Sequence, residues 1–169
     1  MTMGDPGLRR VADPVTQVRT PALEGVVTDL LDTMRALDGV GIAAPQIGLS
    51  LRILIVEVGN NPRYPGVAPV PLTIVVNPMI TLLGWETDEA YEGCLSVPGQ
   101  RGLVPRFRRL RYEGFDPSGA RIDRVVEGFH ARIVQHEVDH LDGVLYPDRM
   151  SDPSGLRAES DFGRGTPEG

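Results

Sequence analysis

The stretch "FHARIVQHEVDHLDG" at 129–143 decides how the chain is read. Ala131, Val134, Val138 and Leu141 follow one another at spacings of three, four and three, one buried stripe of a helix. Phe129, Ile133, His136, Glu137 and His140 lie on another side of it. The spacing predicts a helix from about Gly128 to Leu141, with Gly143 as a left-handed stop just beyond its end. His136 and His140 stand one turn apart and differ by about 40° around the axis, so both imidazoles lean the same way. Glu137 lies about 100° from His136, placed to reach a water on a bound metal ion rather than the ion itself. His130 lies six residues before His136 and cannot join a site on that face. Two histidines that merely cap and pack in a helix would show the same spacing, so the motif alone leaves both readings open.

Working outward, Thr20 followed by Pro21 is a cap and first-turn proline. Leu23, Val26, Val27, Leu30, Leu31, Met34 and Leu37 then recur at three and four, an amphipathic helix ending near Gly39. "GVGIAAPQIG" (39–48) breaks the pattern. "LRILIVEV" (51–58), "LTIVVNP" (72–78) and "MITLLG" (79–84) read as three strands, with a turn-rich loop, "GNNPRYPGVAPVP", between the first two. "RRLRYEGFD" and "ARIDRVVEG" flank "PSG" and predict an antiparallel hairpin over about 108–127. The basic run "RFRRLR" (106–111) reads as an alternating strand with a solvated face rather than a nucleic-acid patch. Helix, strands, strands, helix is the order of an α+β fold, with mostly antiparallel sheets and the metal-binding helix near the C-terminus. One domain is expected over 1–152. The segment 153–169, rich in Gly, Ser, Pro and charge, is expected to be a flexible tail.

Composition narrows the function. With 169 residues, 41% hydrophobic and 24% charged, the chain suits one globular domain. A formal net charge of −6 argues against attraction to a phosphate backbone, so DNA is not an expected partner. The N-terminal residues show no signal-peptide pattern and no segment is apolar enough to span a membrane, so a cytoplasmic location with no membrane partner is expected. A single cysteine, Cys94, excludes an internal disulfide.

A divalent ion on His136 and His140 wants a third protein ligand. Metalloproteases with such a helix usually take it from downstream. Beyond His140 there is no further histidine, and Glu159 lies in the expected tail. Upstream, Cys94 sits in "YEGCLSVPG" among turn residues, outside any clean strand period. A lone cysteine is often only a small buried hydrophobe. Beside a two-histidine helix that lacks a ligand, it is the candidate third donor. A thiolate and two imidazoles leave one position open on a tetrahedral ion, the catalytic rather than the structural arrangement, and the ligand types suggest zinc.

Three segments, "GVGIAAPQ" (39–46), "EGCLS" (92–96) and "QHEVDH" (135–140), resemble in order and spacing the signature motifs of peptide deformylases. The resemblance covers roughly residues 4–150 and includes "QRGLVPR" (100–106). It implies a hydrolase that removes the N-formyl group from the formylmethionine of newly made polypeptides and releases formate. N-formylmethionyl peptides and nascent chains would be its partners, a role compatible with transient ribosome contact. It implies Cys94, His136 and His140 as ligands of one divalent ion, Fe²⁺ physiologically, with Zn²⁺, Ni²⁺ or Co²⁺ able to take the site in isolated protein. Glu137 resembles the general acid/base, and the Gln46 amide with the Leu95 N–H resembles the pair of oxyanion donors. Val40, Gly41, Gly93 and Arg101 resemble substrate-binding positions, and Glu92 with Arg106 a supporting ion pair. Asp139 fits a group that steadies a ligand.

The chain departs from the family at Arg132 and Phe129, positions more simply aliphatic in some members, so preference for the first side chain follows least directly. Pro45, where some members have threonine, is a common variant. Two other readings are a general metallopeptidase, which the absent downstream ligand and "EGCLS" count against, and a non-catalytic domain that kept the fold. Retention of Glu137 and Gln46 counts against the latter.

Overall fold

The computed structural model describes residues 1–59 and 66–162. Helix α1 (Pro21–Ala36) begins where Thr20 Oγ1 accepts a hydrogen bond from the Leu23 N–H at 3.1 Å, with Pro21 in the first turn. Strands β1 (Gly41–Ala43), β2 (Ile53–Val58) and β3 (Val70–Leu82) follow. Then come β4 (Thr87–Cys94), β5 (Val97–Phe107), β6 (Arg109–Phe115) and β7 (Arg121–Glu127). Helix α2 (Gly128–Leu141) leads to a short strand β8 (Arg157–Ala158).

An antiparallel five-stranded sheet runs β1-β2-β3-β6-β7, and a three-stranded sheet runs β4-β5-β8. Side chains alternate across β2, so its two faces build two cores. Leu54 and Val56 pack with Ala131, Val134, Val138 and Leu141 of α2. Ile53 and Ile55 pack with Leu23, Leu30 and Met34 of α1. A third cluster, Val97, Val104, Tyr146 and Met150, lies under the smaller sheet. This is the α+β architecture expected from the sequence, with α2 central.

Four local expectations change. Residues 70–82 form one strand rather than two, because Asn77 takes up a register shift between Val76 and Met79 at φ 52°. Asparagine tolerates that left-handed backbone, and its amide clamps Val15 through N–H to Oδ1 at 2.8 Å and Nδ2 to O at 2.9 Å. "RFRRLR" is not one alternating strand: the chain turns at Arg108, between β5 and β6, and Arg106 is buried. The β4–β5 hairpin has no counterpart in the strands predicted from sequence. Beyond Pro153, residues as far as Phe162 are structured, with β8 pairing to Gln100 and Arg101 of β5. The expected tail from 163 onward, and residues 60–65 of the turn-rich loop, lie outside the described residues.

α2 differs from a surface helix in burying ten residues on nearly all sides, including Arg132, Gln135, Glu137, Asp139 and His140. Gln135 shows how such a polar side chain is accommodated, accepting from the Phe107 N–H at 3.1 Å and donating to the Phe107 carbonyl at 2.9 Å. The helix stops as predicted: Gly143 has φ 74°, and a Cβ there would meet the Arg9 carbonyl oxygen at 2.6 Å.

Candidate active site and metal centre

β4 delivers Cys94 to its end, just before the tight turn Leu95–Ser96 into β5, where Cys94 pairs with Val97. α2 delivers His136 and His140 to the same point. Cys94 Sγ lies 3.2 Å from His140 Nε2, and one donor atom from each of Cys94, His136 and His140 falls within 4.8 Å of the others. Donors bound at 2.0–2.3 Å to a tetrahedral ion stand about 3.5 Å apart. Spacing and donor chemistry therefore both fit a divalent ion, and this is the cluster expected from the sequence.

Glu92 on β4 orients the cluster from behind. Its Oε2 lies 2.8 Å from His136 Nδ1, which leaves Nε2 as the ring nitrogen free for a metal. The same carboxylate accepts from Arg106 Nε and Nη2, each at 2.9 Å, and from Arg132 Nη1 at 2.8 Å. Burial by itself would raise the Glu92 carboxyl, but hydrogen bonds from His136 and Arg106 outweigh it and hold it well below the usual carboxylate range. Arg106 also reaches Asp139 at 2.5 Å, and Arg149 reaches Asp139 at 2.7 Å. Asp139 thus steadies His136 through Arg106 and Glu92 in series. The expected Glu92–Arg106 pair is present, while Arg132, on the same helix face as the two histidines, is the partner that sequence reasoning left out. Its spacing of four before His136 was a usable signal.

Glu137 is buried, and its Oε2 has no hydrogen-bond partner within the protein. Burial is the largest influence on its carboxyl and pushes it up to about 7, where one group can both take and return a proton. Gly41 packs directly on this carboxylate: a Cβ at Gly41 would collide with Oε1 and lie 2.9 Å from Cδ.

Gln46 enters from the loop after β1. Its Oε1 accepts from the Ala43 N–H at 2.8 Å, which fixes the amide so that its NH₂ faces the cluster. Nε2 lies 3.5 Å from Cys94 Sγ and 3.2 Å from Ser96 Oγ. Ser96, almost fully buried, belongs to "EGCLS" but was assigned no role from the sequence.

Gly39, Val40, Gly41, Gln46, Gly93, Leu95 and Glu137 join the cysteine and His136 around one cavity of about 60 Å³. β1 is the outer strand of its sheet, so its edge beside the cavity has no neighbouring strand among the described residues. Arg101 is placed differently from the other expected substrate-binding residues. It is buried, lies 3.7 Å from Glu159 and stacks over Phe162 at 5.4 Å, engaged by the segment that follows β8. His130 stays out of the site, packed against Tyr112 with ring centroids 5.8 Å apart.

The chain is similar to known proteins in sequence and in fold. The sequence pattern of the family described as polypeptide deformylase matches residues 1–155. Peptide deformylase 1 of Nitrosomonas europaea is 56% identical over 152 residues, covering 90% of this chain and 86% of that protein. Peptide deformylase 2 of Bordetella bronchiseptica is 55% identical over the same shares of both chains. Among solved structures, the Met-Ala-Ser-bound class I type b peptide deformylase from Acinetobacter baumannii superposes with a TM-score of 0.85 at 39% identity, over 88% of this chain and 95% of that one. The peptide deformylase from Synechococcus elongatus in complex with actinonin gives 0.82 at 31% identity, over 91% and 79%. Sequence and fold agree, and this chain belongs to the polypeptide deformylase family, enzymes that remove N-formyl groups from nascent polypeptides in a metal-dependent reaction.

Proposed function

We propose that the domain over residues 1–152 hydrolyses the formamide of N-formylmethionyl peptides, with Cys94, His136 and His140 holding one divalent ion and Glu137 moving the protons. The observation that carries this reading is the convergence of the three donor atoms beside a buried carboxylate with an unpartnered oxygen. When bound, the ion supplies a Lewis acid that acidifies water and polarises the formyl carbonyl. Fe²⁺ is the proposed physiological occupant, with Zn²⁺, Ni²⁺ or Co²⁺ able to take its place.

Glu137 accepts the proton of the attacking water at Oε2 and returns it to the departing amine, so formamide and water become formate and a free α-amino group. The Gln46 amide, held by Ala43, and the N–H of Leu95 donate to the oxygen that becomes anionic as the formyl carbon turns tetrahedral. The backbone of Val40 and Gly41 receives the peptide as an added strand along the open edge of β1, with Gly93 flanking it from β4. The substrates are nascent chains in the cytoplasm, met in transient contact with the ribosome. Protein purified anaerobically with Fe²⁺ releases formate from formyl-Met-Ala-Ser and leaves unformylated Met-Ala-Ser intact. Cleavage of the unformylated peptide bond, or no formate from the loaded protein, overturns the assignment.

A further inference from the structure

We infer that Arg132 is the partition that sets how long a first side chain this site accepts, an inference that rests on the formylmethionyl activity proposed above. Arg132 stands one helical turn before His136, so it rises from α2 on the same face as both histidines. Its guanidinium reaches past that face to the smaller sheet. Nη1 donates to Glu92 Oε1 at 2.8 Å and to the Val104 carbonyl at 2.9 Å, and Nη2 donates to the Asp88 carbonyl at 2.7 Å. The side chain is 10% exposed.

On one side of it lies the cavity of the ligand cluster, about 60 Å³. On the other lies a hollow open to solvent, whose lining includes Asp88, Glu89, Ala90 and Phe107. Phe129 and Arg132 are the residues that line both. A first side chain longer than the four heavy atoms of methionine beyond Cα has to pass the Arg132 guanidinium to reach the second space.

Three acceptors hold the wall shut. If the guanidinium swung aside, the Glu92 carboxylate would lose one of its cationic donors, and two backbone carbonyls would lose a partner in a largely dry setting. The forked donor set is specific to arginine, because an ammonium cannot span Glu92 and two carbonyls in one plane. Arg132 is therefore a rigid floor to the side-chain pocket rather than a flexible polar rim.

The test compares formyl-Met-Ala-Ser with formyl-2-aminooctanoyl-Ala-Ser, whose unbranched first side chain has six carbons, using Fe²⁺-loaded protein. Wild type prefers the methionyl peptide. Arg132→Ala joins the two spaces, and the ratio of kcat/KM for the longer peptide over the methionyl one rises about tenfold or more, the scale set by fitting extra methylenes. Should Arg132→Ala fail to fold, Arg132→Leu, which shortens the side chain but keeps apolar volume beside the helix, shows the same rise. A ratio within threefold of wild type in a folded variant overturns the inference, as does an equal fall on both peptides. Absence of formate from wild type on formyl-Met-Ala-Ser is a separate outcome, which overturns the parent activity and this inference with it.

Discussion

Gly41→Ala probes the contact between the substrate-side strand and the acid/base carboxylate. A methyl group at Gly41 would collide with Glu137 Oε1 and stand 2.9 Å from Cδ and 3.0 Å from Cγ. Carbon atoms pack best at about 3.5–4.0 Å, so the Glu137 carboxylate has to retreat by about 0.6–1.1 Å. A general base works only within about 2.6–3.2 Å of the proton it takes. A misplacement of about 1 Å costs about 100-fold in rate, or about 2.7 kcal/mol of transition-state stabilisation. The fold is affected less. Gly41 does not use a positive φ, so alanine gains about 0.4–1 kcal/mol by restricting the unfolded chain, against about 1–3 kcal/mol for overpacking. The candidate metal-holding cluster of Cys94, His136 and His140 is not touched. The expected variant melts no more than about 10 °C below wild type, binds one equivalent of metal, and releases formate from formyl-Met-Ala-Ser with kcat lower by about 100-fold. A folded, metal-replete Gly41→Ala enzyme with kcat within threefold of wild type would refute the placement of Glu137 as the working base.

Three further substitutions test other parts of the site and fold. Glu92→Gln removes the buried charge that faces Arg106, Arg132 and His136, at a cost of about 3–5 kcal/mol. For a chain of this length that lowers Tm by about 6–20 °C. Metal affinity, measured by chelator competition, falls about 10–100-fold, and a variant with unchanged affinity contradicts the orienting role of Glu92. Gln46→Ala removes one oxyanion donor and lowers kcat by about 10²–10³, and steady-state kinetics showing a change in KM alone would contradict that role. Asn77→Ala loses two hydrogen bonds to Val15 and strains a φ of 52°, for about 2–4 kcal/mol in denaturant titrations with activity of the folded fraction preserved.

What could be read from the sequence was local. α1 declared itself through Thr20, Pro21 and a regular apolar period, and α2 through its histidine spacing and the stop at Gly143. The β4–β5 hairpin did not. Pro98, Gly99, Gly102 and Pro105 all argue locally against a strand in β5, and β4 buries only Glu92 fully, so it shows no apolar alternation. β5 tolerates Pro105 because β8 pairs only with Gln100 and Arg101, so no ladder bond is demanded further along that edge. The break at Asn77 was hidden for the opposite reason, since a bulge interrupts the period of a strand that nonetheless continues. Residues after Pro153 have the composition of a loose tail. Their order comes from a few contacts that composition does not encode, Phe162 on Tyr91 at 4.7 Å and Arg157 over Tyr91 at 5.6 Å. At the site, ligand types and a helical period singled out Cys94, His136 and His140, which the fold draws together, and Glu137 beside them. Arg132 stood out only as a departure from the more aliphatic residue of some family members, because its three acceptors come from Asp88, Glu92 and Val104, far away in the chain.

The central claim is that a Cys94–His136–His140 ion and the Glu137 carboxylate together hydrolyse a formamide. Its most direct test measures metal content and formate release side by side for wild type and Glu137→Ala. Both proteins are prepared anaerobically with Fe²⁺ and given formyl-Met-Ala-Ser. One equivalent of metal in each, with formate from wild type alone, is the predicted result. Equal formate from the Glu137→Ala protein, or none from metal-replete wild type, would contradict it.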